Sequence, residues 1–273
     1  MLSLDLVEQI AIEDNAMNDS NSSSAVSSPV YADLHYVKSF HFDLTKPCYC
    51  STGELFGNCC GTQSLQRQSP RHLHIFKDFL SATDCKRFIR FAGKQKRSPL
   101  SVVAANKSKD KKTVHQPSSS RITQQIMLGK KQVQANQWFH SACLTKLKQF
   151  THQEPNWFEM PHLLHYEPGG KYDIHSDAEH YDFENRQFYR FIDRDFSMLI
   201  YLNDNFTGGE LNFPWLNYQY KPVAGDLVIF PSNHIFTHES LPIISGKKYA
   251  LVSWGAFKGS ARVRQPRTML KAS

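Results

Sequence analysis

In the stretch HLLHYEPGGKYDIHSDAEH, His175 and Asp177 stand two apart, just beyond an apolar run and a Gly-Gly turn. Residues i and i+2 of an extended chain share one face, so this imidazole and this carboxylate can share one cation. A third ligand must come from elsewhere in the chain. His238, in FPSNHIFTHESLP, follows the apolar run DLVIF, which a neighbouring strand could bring alongside. Two histidines and one carboxylate on one face leave coordination positions open, an arrangement that suits non-haem Fe(II). The pattern His-x-Asp is weak by itself: the chain has 13 histidines, and His180-Tyr181-Asp182 repeats it a few residues on.

A second candidate metal site lies near the N-terminus. Cys48-Tyr49-Cys50, eight residues, and then Cys59-Cys60-Gly61 supply four thiolates around a short loop containing Gly53 and Gly57. Four sulfurs can close a tetrahedral, redox-inert site, for which Zn(II) is the fitting ion. The plainer alternative is free or disulfide-bonded cysteines. The two remaining cysteines, Cys85 and Cys143, read as core residues.

These residues sit in a chain of 273 residues and 31.4 kDa, enough for one substantial core with a small attachment. A hydrophobic share of 40% and a charged share of 21% are ordinary for a folded domain, and no apolar run approaches a bilayer span. No membrane association is expected. The opening MLSLDLVEQIAIEDNAMNDS carries acids where a secretory signal carries lysines and arginines, so a cytoplasmic location is expected. The formal charge of +7 and pI near 9.0 fit either an anionic partner or a solvated surface.

The order of elements follows from pattern. Residues 1–40 read as a flexible leader, Ser/Asn-rich from 12 to 30, and 41–70 hold the cysteine module. The main domain is expected from 71 to 260. It opens with a short strand at HLHIF and a helix begun at Ser81 that turns Cys85, Phe88, Ile89 and Phe91 inward. Lys94 to Ser120 lacks periodicity and reads as a long loop, and Gln132 to Phe150 as an amphipathic helix with Trp138, Leu144 and Leu147 as core positions. Short apolar runs then alternate with turn chemistry: HLLHYEP, FSMLIYLND, ELNF, DLVIFPS and KYALVSWGAF. With no helices between them, these predict a mainly β (α+β) fold, an antiparallel sandwich or barrel. Residues 261–273 read as a basic tail.

From Leu163 to Phe257 the chain resembles the prolyl 4-hydroxylase-type catalytic domain of the 2-oxoglutarate oxygenases. The resemblance is carried, in order, by Tyr166, Pro168-Gly169, Tyr172, His175-Ser176-Asp177, Tyr201-Leu202-Asn203, Gly208-Gly209-Glu210, Phe213-Pro214, Gly225-Asp226, His238, Lys248 and Trp254. It implies a double-stranded β-helix, or jelly roll, with its core at about 160–258, supported by N-terminal helices. It selects His175, Asp177 and His238 over the His180/Asp182 pair as iron ligands. It also implies 2-oxoglutarate as co-substrate, ascorbate as reductant, and Tyr166 assisting at the distal carboxylate of 2-oxoglutarate. A carboxylate inside an apolar barrel needs a cation. On the strand from Lys247 to Trp254, a regular pleat puts Lys248 on one face with Ala250, Val252 and Trp254, and Lys247 on the other. Phe230, Tyr201 and Trp254 are candidate pocket walls. The cysteine spacing, in turn, resembles the SEC-C zinc-binding module, with Ser51-Thr52-Gly53 where that motif often has Gly-Ser-Gly.

The implied activity is hydroxylation of prolyl residues in a protein or peptide, with succinate and carbon dioxide released. A small molecule or free amino acid as substrate is the alternative, because these motifs bind metal and 2-oxoglutarate rather than substrate. Nucleic acid is disfavoured as substrate, since demethylases of that kind generally carry arginines after the distal histidine, where Lys248 stands. A non-catalytic metal-binding adaptor, with the zinc module docking another protein, is a further alternative that the intact triad opposes.

Overall fold

The computed structural model describes Leu55, Pro70 and residues 72–100, 102–103, 115–116, 120–182 and 184–272. The expected leader 1–40 and the residues of the cysteine module, Cys48, Cys50, Cys59 and Cys60, lie outside the described residues.

Strand β1 (His74–Phe76) leads into helix α1 (Ala82–Ala92), whose N-cap is Ser81: its hydroxyl accepts the Asp84 N–H at 3.0 Å. That bond satisfies one of the free amides of the first turn, and Asp84 complements the positive end of the helix. Strands β2 (Arg97–Pro99), β3 (Arg121–Ile122) and β4 (Gln124–Ile126) follow, and then helix α2. Helix α2 is regular over Gln132–Ser141, π-helical over Ala142–Leu147 and regular again over Lys148–Thr151. Here the structure departs from the expected face. Ala142, Cys143 and Leu147 are fully buried while Leu144 is 38% exposed. A π turn carries more residues than an α turn and so rotates the inward stripe, which a strict 3.6 periodicity cannot foresee. Trp138 packs on Phe88 of α1 with ring centroids 5.0 Å apart.

The rest is strand: β5 (Pro155–Glu159), β6 (His162–Tyr166), β7 (Lys171–His175), β8 (Glu179–Asp182), β9 (Gln187–Arg190), β10 (Phe196–Tyr201), β11 (Leu211–Phe213), β12 (Tyr218–Tyr220), β13 (Leu227–Pro231), β14 (His238–Ser240), β15 (Lys248–Phe257) and β16 (Met269–Lys271). A nine-stranded sheet runs β1-β13-β10-β15-β6-β4-β2, with β5 also paired to β15 and β16 paired to β5. A five-stranded sheet runs β12-β11-β14-β7-β3, and all these pairings are antiparallel.

Alternation along the central strands assigns the two faces of the large sheet. Met198, Ile200, Leu163 and Leu251 point to α1 and α2 and are fully buried, so truncating one to alanine would cost about 2–5 kcal/mol. Their neighbours Leu199, Tyr201, Leu164, Ala250 and Val252 point the other way and line a pocket. Segment 261–272, read above as a tail, instead completes the sheet edge. Leu270 packs against the core, Ala272 is fully buried, and the amides of Val263 and Arg264 donate to Asp193 Oδ1. Among the described residues no helix is long and apolar enough to cross a membrane.

Candidate metal centre

Strands β14 and β7 pair with His238 directly opposite His175, and their rings lie 4.4 Å apart. Asp177, two residues beyond β7's end pair, turns its carboxylate to both: Oδ1 is 3.6 Å from His175 Nε2 and Oδ2 is 3.7 Å from His238 Nε2. One ligand atom from each of the three lies within 4.8 Å of the others. Each ring places its other nitrogen on a main-chain carbonyl: His175 Nδ1 on Asp173 O at 2.8 Å and His238 Nδ1 on Phe236 O at 2.9 Å. A carbonyl can only accept, so Nδ1 carries the proton in both rings and both Nε2 lone pairs face the shared point.

The carboxylate is held as firmly. Ser197 Oγ donates to Asp177 Oδ2 at 2.7 Å, so Ser232 Oγ, also 2.7 Å away, must donate to Ser197 in turn. Burial alone would raise the Asp177 pKa, but the two imidazoles, the Arg194 guanidinium and the Ser197 hydroxyl outweigh it and leave Asp177 ionised. Burial, then the neighbouring His238, pushes the His175 pKa down, so both partners hold the protonation state a metal requires. Arg194 grips Glu159 with two bonds, at 2.5 and 2.9 Å, and donates to Asp177 O at 3.1 Å. Its guanidinium lies 4.0 Å over Trp254.

The three side chains line one cleft, together with Arg121, Tyr166, Tyr172 and Trp254. At its inner end lies Lys248, 2% exposed, whose ammonium donates to Gly209 O at 2.8 Å and to Ser240 Oγ, and sits 4.4 Å over the Tyr166 ring. Lys248 is paired in register with Tyr166 across β15 and β6. No carboxylate of the described residues lies within 4.0 Å of it. Burial pushes its pKa down to about 7, with Glu210 opposing. A buried ammonium facing a cavity with only neutral partners is suited to an incoming carboxylate. Gly209 makes this seat possible: its φ is +69°, and a Cβ there would come within 2.3 Å of Ile243 Cδ1.

Of the candidates read from the sequence, His175, Asp177, His238, Lys248, Tyr166, Tyr201 and Trp254 line the one cleft. Phe230 does not; it lies in the core, edge-on to His238 at 4.8 Å. His180 and Asp182 are carried away on the β8–β9 hairpin, where His180 is exposed and stacks on Phe191 and Asp182 accepts from Asn185. Arg121 and Arg194 gave no signal in the sequence, since β3 is two residues long and Arg194 precedes β10. Arg121 lies 4.3 Å over Tyr172, which stacks at 3.6 Å on His175, and its Nε is buried without a hydrogen-bond partner among the described residues.

The antiparallel sheets, with a His-Asp-His cluster that could hold a metal ion and a buried lysine in the same cleft, are consistent with a jelly-roll fold. Residues 161–255 match the family model described as the 2OG-Fe(II) oxygenase superfamily, and the chain is similar to curated prolyl 4-hydroxylases. The chain is 28% identical over 209 residues to "Probable prolyl 4-hydroxylase 6" of Arabidopsis thaliana, covering 66% of this chain and 67% of that protein. It is 29% identical over 212 residues to "Probable prolyl 4-hydroxylase 7" of the same plant, covering 68% and 62%. The chain thus spans about three fifths to two thirds of the length of these curated relatives. A prolyl hydroxylase of Trichoplax adhaerens, solved with a hypoxia inducible factor peptide fragment, shares the fold with TM-score 0.51 and 19% identity over 68% of this chain and 83% of that one.

Proposed function

We propose that this protein is an Fe(II)- and 2-oxoglutarate-dependent dioxygenase that hydroxylates prolyl residues of a protein or peptide. The observation that supports the reading is one cleft lined both by three side chains that could hold a metal ion and by a buried ammonium that no carboxylate of the described residues meets. His175, Asp177 and His238 would hold the iron, and Lys248, with Tyr166 beneath it, would meet the distal carboxylate of 2-oxoglutarate. When bound, iron and 2-oxoglutarate would supply the chemistry that uses dioxygen as the oxidant, one oxygen atom going to the prolyl carbon as hydroxyl and the other to 2-oxoglutarate as it becomes succinate and carbon dioxide.

The chain's own residues bind, orient and exclude water. Leu164, Leu199, Ala250 and Val252 give the cleft an apolar wall, so charge inside it is poorly solvated and the Lys248 ammonium acts at low dielectric. Half-buried Trp254 offers a flat face for a pyrrolidine ring, backed by the Arg194 guanidinium. Arg121, over Tyr172, adds a second cation to the lining of the cleft. Ascorbate is assigned as reductant, and Cys48, Cys50, Cys59 and Cys60 are assigned to a zinc-bound docking module.

The test is succinate formation by purified protein with Fe(II), ascorbate and 2-oxoglutarate, with and without proline-containing peptides. Peptide-stimulated turnover with a +16 Da product on proline is expected. Turnover stimulated only by a small molecule would replace the substrate assignment, and no succinate together with no iron uptake would remove the enzymatic one.

A further inference from the structure

The two stretches that carry the ligands are tied at a second place. Glu179, two residues past Asp177, is 2% exposed, and its Oε2 accepts both the main-chain N–H of His234, at 2.8 Å, and the His234 Nδ1–H, at 2.7 Å. His234, four residues before His238, is 5% exposed and stacks on Phe188 with centroids 4.0 Å apart and planes 7° from parallel. Between these points the Ala178 N–H and the Ser176 hydroxyl both donate to Ser232 O, at 2.9 and 3.1 Å. Segment 232–238 is therefore strapped to 175–179 at three places: His238 to His175, His234 to Glu179, and Ser232 to Ser176 and Ala178.

We infer that Glu179 and His234 are positioning residues for the metal, holding the turn that delivers His238 at a set distance from the His-x-Asp strand. Neither side chain lines the cleft, so the pair acts through the main chain of its neighbours. A hydrogen bond at 2.7 Å between a buried carboxylate and an imidazole is of the strong, charge-assisted kind, and the flat stack on Phe188 leaves the His234 ring one orientation. Without the bond, the turn 232–237 would keep its strand pairing at His238 but lose its fixed approach angle. Outer supports of metal ligands are worth about 10–100-fold in metal affinity.

This inference rests on the iron-site reading above, and the experiment separates the two. Full-length wild type, Glu179→Gln, His234→Phe and Asp177→Ala are titrated with Mn(II) calorimetrically, and their Co(II) complexes are read by visible absorption. Asp177→Ala should abolish binding; wild-type affinity in that variant would overturn the site itself. Glu179→Gln and His234→Phe should weaken Mn(II) about tenfold or more and shift the Co(II) bands. His234→Phe keeps the stack and leaves the main-chain N–H on Glu179, so it decides the matter if Glu179→Gln does not fold. A lowered melting temperature with unchanged Mn(II) affinity and unchanged Co(II) bands would show a purely structural pair and overturn the inference.

Discussion

Replacing Lys248 by alanine removes the one cation at the inner end of the cleft while leaving the metal ligands untouched. Its ammonium is 2% exposed, held by Gly209 O and Ser240 Oγ, and 4.4 Å above Tyr166, so a carboxylate meeting it there is cut off from water. Deleting one partner of a buried charge pair costs about 3–5 kcal/mol, because the other charge stays behind unsolvated. At 1.4 kcal/mol per tenfold, the affinity for 2-oxoglutarate should fall by about a hundredfold to a few thousandfold. The assay is calorimetric titration of 2-oxoglutarate into Mn(II)-loaded protein, with Mn(II) affinity of the apoprotein measured in parallel. Lys248→Met, which keeps the length of the stem, should lose 2-oxoglutarate equally and metal hardly at all. Equal loss of metal and 2-oxoglutarate, or undiminished 2-oxoglutarate binding, would refute the assignment.

The same lysine sets a pH dependence. Burial lowers its pKa from the ordinary 10.5 to about 7, so between those values the unfolded chain binds the extra proton and the folded one does not. Stability of the ligand-free protein should therefore rise with pH across that window, and Lys248→Met should flatten the rise in denaturant melts at fixed temperature. Asp177→Ala should eliminate metal binding in the same titration, while Asp182→Ala, at the end of β8, should leave it intact. Gly209→Ala puts a side chain at a φ of +69°, which L residues rarely adopt, and should destabilise the fold by about 1 kcal/mol while weakening 2-oxoglutarate, read by thermal melting and calorimetry. Arg121→Ala should raise KM for a peptide substrate with little effect on 2-oxoglutarate affinity, because Arg121 lines the cleft over Tyr172.

What the sequence made legible was what strand periodicity controls. A period of two put His175 and Asp177 within reach of each other and separated Lys248 from Lys247, because inside and outside alternate along one continuous strand. The structure shows the same division, with Lys247 exposed and paired to Glu167 and Lys248 buried. Contacts between distant segments left no such trace. Arg121 reaches the cleft from a two-residue strand, and Glu179 finds His234 across 55 residues of chain. The C-terminal strand was hidden by composition, since basic residues around Leu270 and Ala272 masked the two positions that turn inward. In α2, the π-helical stretch moved Leu144 out of the core for a reason carried by backbone hydrogen bonding rather than by residue type.

The acceptors that orient the two imidazoles belong to the main chain, each two residues upstream of its ring: Asp173 O for His175 and Phe236 O for His238. Substitution at position 173 or 236 changes a side chain and leaves that carbonyl where it is. The tautomers are thus insulated from mutation at the very residues that enforce them, and only a shift of a whole strand could reverse the rings. Drift in the surrounding sequence can then retune the walls and the mouth of the cleft while the donor set persists unaltered.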